Sequence, residues 1–119
     1  MKFTESHEWI KVEDGVGVVG ITAHAQRELG EVVYIELPLL GKQVKSGQEV
    51  AVLESTKAAA DVYAPVSGEI IAINEDLRTD SNRVNTGPES NGWLFKIKLA
   101  TLSELEPLLD RQGYLSLIT

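Results

Sequence analysis

The chain has 119 residues, 43% of them hydrophobic, enough for one domain around a single core and too few for a second. Its 18 acidic and 11 basic residues leave a formal charge of -7, which excludes a phosphate-backbone partner because nucleic-acid binding needs clustered Lys and Arg; the same acidity suits a basic protein partner, or solubility alone. There is no cysteine, which fits a reducing compartment, no apolar run near the roughly 20 residues needed to span a bilayer, and a charged start at Met1-Lys2-Phe3-Thr4-Glu5, so neither a signal peptide nor a membrane helix is expected and the protein should be soluble.

In chain order, Trp9-Ile10-Lys11-Val12 and Val16-Gly17-Val18-Val19-Gly20-Ile21 flank Asp14-Gly15, a strong turn signal, and predict an opening hairpin. A short helix over Ala23 to Leu29 follows, with Thr22 as its N-cap and Gly30 at its end. Val32-Val33-Tyr34-Ile35 reads as a strand stopped by Pro38, and a loop over Leu39 to Gln43 leads into Val44. Val50-Ala51-Val52-Leu53, Val62-Tyr63-Ala64 and Ile70-Ile71-Ala72-Ile73 are the next strands. The polar stretch from Asn74 to Asn91 predicts surface loop. Trp93 to Leu99 reads as a last strand, and Ser103-Glu104-Leu105-Glu106 has capping-box spacing; with Pro107 close behind, two short helical pieces separated near Gly113 are expected. Alternation along the strands nominates Val18, Ile35, Val52, Ile71 and Ile97 for the core.

Chemistry is concentrated in Glu54 to Gly68, where Lys57 stands between two apolar β-like runs and should occupy a hairpin tip. Thr56, Ala58, Ala59 and Ala60 around it are small and uncharged, leaving the ammonium open to an approaching enzyme. Gly47-Gln48-Glu49-Val50-Ala51-Val52 and Gly68-Glu69-Ile70-Ile71-Ala72-Ile73 share one pattern on either side of Lys57. Two such halves can pack face to face as a flattened barrel or sandwich, with Lys57 projecting from one end. Taken alone, a lysine in a turn is ordinarily a solvated charge.

The segment Glu54 to Gly68 resembles the lipoylation segment of the glycine cleavage system H proteins, close to Glu-Ser-x-Lys-Ala-x-x-Asp-x-x-x-Pro-x-Ser-Gly-Glu. Ser6-His7-Glu8-Trp9, Gly20-Ile21-Thr22 with His24-Ala25-Gln26, Gly30 to Pro38, and Gly92 to Lys98 resemble further blocks of that family in the same order, so the likeness spans nearly the whole chain. The resemblance implies a mostly β, lipoyl/biotinyl-type flattened barrel-sandwich with a short internal helix and a C-terminal helical segment, forming a single lipoyl-carrier domain over residues 1–119. It implies a cofactor, lipoic acid attached to Lys57, and a cleft for the loaded arm in which Ser6, Glu8 and Asp61 match the family's residues. It implies partners: a pyridoxal-phosphate glycine decarboxylase that loads the aminomethyl group, a tetrahydrofolate-dependent aminomethyltransferase that removes it, a dihydrolipoamide dehydrogenase that reoxidises the dithiol, and a lipoate ligase or lipoyl/octanoyl transferase that attaches the arm. A cytoplasmic, monomeric, non-catalytic carrier is the expectation, and the absence of cysteine means no internal thiol can trap a dithiol cargo as a mixed disulfide.

Other readings fit less of the sequence. There is no cysteine nucleophile, no Ser-His-Asp ordering in a recognisable elbow and no phosphate loop; Gly15-Val16-Gly17-Val18-Val19-Gly20 has the letters G-x-G-x-x-G but begins in a hairpin turn and leads into a strand. His7 and His24 lack the further ligands of a zinc site. A biotinyl carrier shares the hairpin logic but centres its lysine in Met-Lys-Met, whereas Lys57 has Thr56 and Ala58 as neighbours. An H-like carrier or donor serving other lipoate-dependent enzymes is the second reading. The sequence leaves it open where Ser81-Asn82-Arg83 stands for a usual Pro-x-Leu and Gly87-Pro88-Glu89-Ser90 for a usual Asp-Pro-Tyr-Gly, departures that bear on partner recognition through this loop.

Overall fold

The computed structural model describes residues 1–119. The Asp14-Gly15 signal makes a two-residue hairpin: both residues have positive φ, 51° and 76°, and Glu13 pairs with Val16 across the turn. The turn joins β2 (Glu8–Glu13) to β3 (Val16–Ile21). Helix α1 (Ala23–Leu29) begins where expected, because the Thr22 side chain accepts a hydrogen bond from the Ala25 N–H at 3.1 Å. It ends at Gly30, whose φ of 91° suits glycine.

The remaining elements are β1 (Lys2–Phe3), β4 (Val32–Glu36), β5 (Gln43–Val44), β6 (Glu49–Ser55), β7 (Ala59–Tyr63), β8 (Gly68–Ile73), α2 (Asn82–Thr86), β9 (Phe95–Leu99) and α3 (Arg111–Ile118). The strands form two antiparallel sheets, one of six strands in the order β1-β2-β3-β9-β8-β5 and one of three in the order β4-β6-β7. The two halves of the sequence repeat therefore part company: β6 lies in the small sheet and β8 in the large one. Ile10, Val19, Leu53, Val62, Ile70, Phe95 and Ile97, all nearly inaccessible, join the inner faces of both sheets in one core.

Ile35 and Ile97 are in that core as expected, but Val18, Val52 and Ile71 are not. In β3 and β6 the inward positions are Gly17 and Val19, and Ala51 and Leu53, which turns Val18 and Val52 to the other face. Val18 instead packs on a second, smaller cluster of Phe3, Trp9 and Tyr114. Ile71 is 42% exposed because the β8–β9 register slips between Ile70 and Ala72, leaving it as the extra residue of a bulge. The β6–β7 register slips at the equivalent place in the repeat, between Glu49 and Ala51, and there the extra residue Val50 is buried.

The segment Asn74 to Asn91 is more than the expected surface loop. It holds a 3-10 turn (Glu75–Arg78) and α2, and it buries Leu77 and Val84. Polar side chains anchor it. Asn85 accepts from the Val32 N–H at 2.8 Å and donates to the Val32 carbonyl at 3.1 Å, standing in for a strand neighbour, while Asn74 donates to the carbonyls of Asn91 and Trp93. The C-terminal break also moves: a 3-10 turn (Leu102–Leu105) stops ahead of Pro107, and Asp110 caps α3 by accepting from the Gly113 N–H at 2.7 Å. Gly113 thus lies inside the first turn of α3 and not at the break.

Candidate functional site

Lys57 sits at the tip of the β6–β7 hairpin, beyond the last pair Glu54–Ala59. Ser55 makes the tip a defined turn: its hydroxyl accepts from the N–H groups of Lys57 and Ala58 at 3.2 and 3.0 Å, and its own N–H donates to the Ala58 carbonyl at 2.8 Å. Lys57 is exposed and makes no salt bridge. Its stem lies over the end of α1, where a Cβ placed on Gly30 would stand 3.0 Å from the Lys57 Cε. A glycine with positive φ is thus also the residue that leaves room for the lysine.

Beside the tip is a cavity of about 270 Å³ with an apolar floor that includes Ile21, Leu29, Leu53 and Val62. Ser6, Glu8 and Asp61 all line it, although 53 residues separate Glu8 from Asp61. Ala58, the neighbour of Lys57, forms part of the wall, while Lys57 itself stands outside the lining. A larger groove, of about 400 Å³ between β4 and the Glu75–Arg78 turn, shares no lining residue with this cavity.

Glu8 is not the surface carboxylate that an acidic residue near a chain start ordinarily is. It is 1% exposed, and its carboxylate accepts from the hydroxyls of Thr4 and Ser6 and, at 3.2 Å, from the N–H of Tyr63 on the far sheet. Burial pushes the Glu8 carboxyl above the ordinary 4.5, and the hydrogen bonds from Ser6, Thr4 and Tyr63 oppose that rise. Such a group has its hydrogen-bond donors but no counter-charge, so a cation entering the cavity would gain from it. Asp61, on β7 opposite Val52, adds an exposed carboxylate to the same cavity.

The contacts that several further residues make in this site had no legible signal in the sequence. Thr4 holds both the carboxylate and the backbone N–H of Glu8. His7 has a φ of 74°, a conformation that costs a non-glycine residue of order 1 kcal/mol. Its ring lies 4.9 Å from that of His24, and His24 in turn approaches Glu28 at 3.5 Å. Burial, then the neighbouring His24, lower the His7 pKa below the ordinary 6.5, with Glu28 opposing. No group of three or more His, Cys, Asp or Glu residues is arranged to hold a metal ion. Glu89, in the departing segment Gly87 to Ser90, accepts from the Ala23 N–H at 2.8 Å at the start of α1, and the Pro88 carbonyl accepts from the Trp9 indole at 2.9 Å. That segment is tied into the fold that carries the cavity.

A model of the family described as glycine cleavage H-protein matches residues 1–119. The chain belongs to the glycine cleavage H-protein family. It is 55% identical over 113 residues to the glycine cleavage system H protein of Thermotoga maritima, covering 95% of this chain and 91% of that one. It is 54% identical over 119 residues to that of Aeromonas salmonicida, covering 99% and 92% respectively. Its fold matches the crystal structure of a glycine cleavage system H protein from Mycobacterium marinum with a TM-score of 0.89 and 33% identity, over 97% of this chain and 93% of that chain. The mostly β, two-sheet architecture expected from the lipoyl-type resemblance is thus the one this H-protein family member adopts. No helix is long and apolar enough to cross a membrane.

Proposed function

We propose that this chain is the lipoylated carrier of the glycine cleavage system and that Lys57 bears the lipoyl group. The observation that carries the reading is the pairing of an exposed, unpaired lysine on a defined hairpin tip with a cavity beside it that has an apolar floor and a buried carboxylate. A ligase or transferase needs an accessible amine in a fixed position. Lys57 supplies it, and acylation removes its charge. A lipoyl group attached to Lys57 would supply the reversible disulfide–dithiol chemistry for taking up and releasing the aminomethyl group of glycine.

The chain's own residues do the rest. The apolar floor suits the arm's hydrocarbon, and Glu8, with Asp61 and Ser6, favours the protonated amine of the cargo over the neutral, unloaded ring. A charge-assisted hydrogen bond in such a site gains about 1.5 to 3 kcal/mol, whereas an exposed pair gains less than about 1. Docking therefore depends on cargo, and a docked cargo is kept from water. Glycine decarboxylase, aminomethyltransferase and dihydrolipoamide dehydrogenase are the partners of this cycle. Tethering replaces their separate diffusional encounters with a free cofactor by an effective concentration. The domain acts as a monomeric, non-catalytic shuttle.

The test is reconstitution. The lipoylated protein, given a glycine decarboxylase, should support release of carboxyl carbon from labelled glycine, and a Lys57→Arg protein should not. Release that is equal with the unlipoylated protein would end the proposal, and a lipoylated protein that serves only other lipoate-dependent enzymes would favour the donor reading.

A further inference from the structure

Tyr114 is the one residue of the C-terminal helix that is fully buried, 1% exposed, and it makes polar contacts as well as packing. Its ring stacks on Phe3 with centroids 4.8 Å apart. Its hydroxyl lies 2.7 Å from the Thr22 hydroxyl and 2.7 Å from Nδ1 of His7. Thr22 caps α1, and His7 stands between Ser6 and Glu8 in the cavity lining. One phenol on α3 therefore touches both the helix and the loop that frame the cavity.

The loop needs such a support. His7 holds its positive φ with backbone bonds that run from its own N–H to the Thr4 carbonyl at 3.2 Å and from the Thr22 N–H to its carbonyl at 3.0 Å. In that conformation Ser6 and Glu8 come together, with the Ser6 hydroxyl 2.6 Å from the carboxylate it donates to. The Thr22 oxygen accepts from Ala25 and keeps its own proton, which it can donate to Tyr114. In that arrangement the Tyr114 proton is free to go to an unprotonated His7 Nδ1, 2.7 Å away.

We propose that Tyr114 is a positioning residue of the cargo cavity: from α3 it fixes the tautomer and place of His7, and through His7 the geometry in which Ser6 and Glu8 meet the cargo. The inference rests on the reading of this cavity as the cargo's dock. It makes the C-terminal helix part of the carrier's working surface, acting at a distance from Lys57. The titratable and charged groups around His7 are His24 and Glu28 on α1, Tyr114 on α3, and Glu8 and Asp61 in the same lining. Protonating His7 removes the acceptor for Tyr114, so protection of the cargo weakens as pH falls through the His7 titration.

The test uses Tyr114→Phe, which keeps the ring on Phe3 and deletes only the hydroxyl, with His7→Asn, which retains tolerance for positive φ. Nitrogen-15 NMR of the protein without its arm reads the His7 tautomer and titration. The lipoylated, reduced proteins are then loaded with formaldehyde and ammonia, which join one thiol with loss of water, and decay of the adduct is followed. Tyr114→Phe should shift the His7 titration to higher pH and leave the rate of lipoylation unchanged. It should also speed adduct decay by about three- to tenfold, the effect of one hydrogen bond. His7→Asn should match it, the double variant should be no faster than either single one, and 4-aminophenylalanine at position 114, which restores a donor, should return the wild-type rate.

An unchanged His7 titration, or decay rates that multiply in the double variant, would overturn the inference, and the His7→Asn comparison with 4-aminophenylalanine decides it should Tyr114→Phe fail to fold. Accelerated decay in Glu8→Gln with wild-type decay in Tyr114→Phe would refute this role of Tyr114 alone. Equal decay in wild type, Glu8→Gln and a free lipoamide adduct would refute the docking reading, and the inference with it.

Discussion

Replacing Glu8 by Gln should have opposite effects on the empty and the loaded protein. In the empty protein the carboxylate is 1% exposed and accepts three hydrogen bonds, yet its pKa is raised, so burial outweighs those bonds and the charge is a net burden on the fold. A glutamine keeps the volume; its oxygen can accept from Tyr63 while its amide donates to the hydroxyls of Thr4 and Ser6, which can turn to accept. Stability of the empty protein should therefore change by less than about 1 kcal/mol near neutral pH. The sign of the pH dependence follows from linkage. A carboxyl with a raised folded pKa binds more protons folded than unfolded between the ordinary 4.5 and its raised value, so its contribution is fully present below that window and is lost as pH rises through it. Urea unfolding across this range should find wild type losing ground to Glu8→Gln as pH rises. With cargo the order should reverse: if Glu8 pairs with the cargo's partly buried ammonium as proposed, losing that carboxylate should cost about 1.5 to 3 kcal/mol, roughly tenfold to a hundredfold in docked population. Decay of the loaded adduct without the transferase should accelerate accordingly. A stability difference that does not vary with pH would refute the account of the empty site, and unchanged decay would refute the account of the loaded one.

Ile97→Ala should cost about 2 to 4 kcal/mol in urea unfolding and Ile71→Ala less than about 1, because only the first side chain is fully enclosed; equal costs would refute the assigned bulge. Gly30→Ala and Gly41→Ala both place a side chain at positive φ, 91° and 83°, and should each destabilise by about 1 kcal/mol or more, but only at Gly30 would the new methyl crowd Lys57. Lipoate ligase should accordingly modify Gly30→Ala more slowly than Gly41→Ala at temperatures where both are folded, and equal rates would show that the Gly30 surface is irrelevant to modification.

The turn at Asp14-Gly15, the Thr22 cap, Gly30 and the hairpin tip at Lys57 were all legible in the sequence, because each depends on chemistry within a few residues of itself. The inward face of β8 was not. A bulge at Ile71 arises from pairing with β9, and no alternation within the strand announces it. The segment from Asn74 to Asn91 read as loop because its anchors, Asn74 and Asn85, are polar residues bonded to distant backbone, which a hydrophobic pattern cannot register. The cavity was half legible. Resemblance named Ser6, Glu8 and Asp61, and the fold brings them to one lining; but the burial of Glu8, its bond to Tyr63 from the other sheet, and the reach of Tyr114 to His7 across 107 positions depend on how the sheets and α3 pack. Glu89 capping α1 belongs with these, a long-range contact made by a residue that looked like part of a variable loop.

The central claim is that Lys57 alone carries the arm. Incubation of the protein with a lipoate ligase, ATP and lipoate, followed by intact mass and peptide mapping, tests it most directly. One added lipoyl group on the peptide containing Lys57, with none on the Lys57→Arg protein, is the predicted result; a group on any other lysine, or on Lys57→Arg, would contradict it.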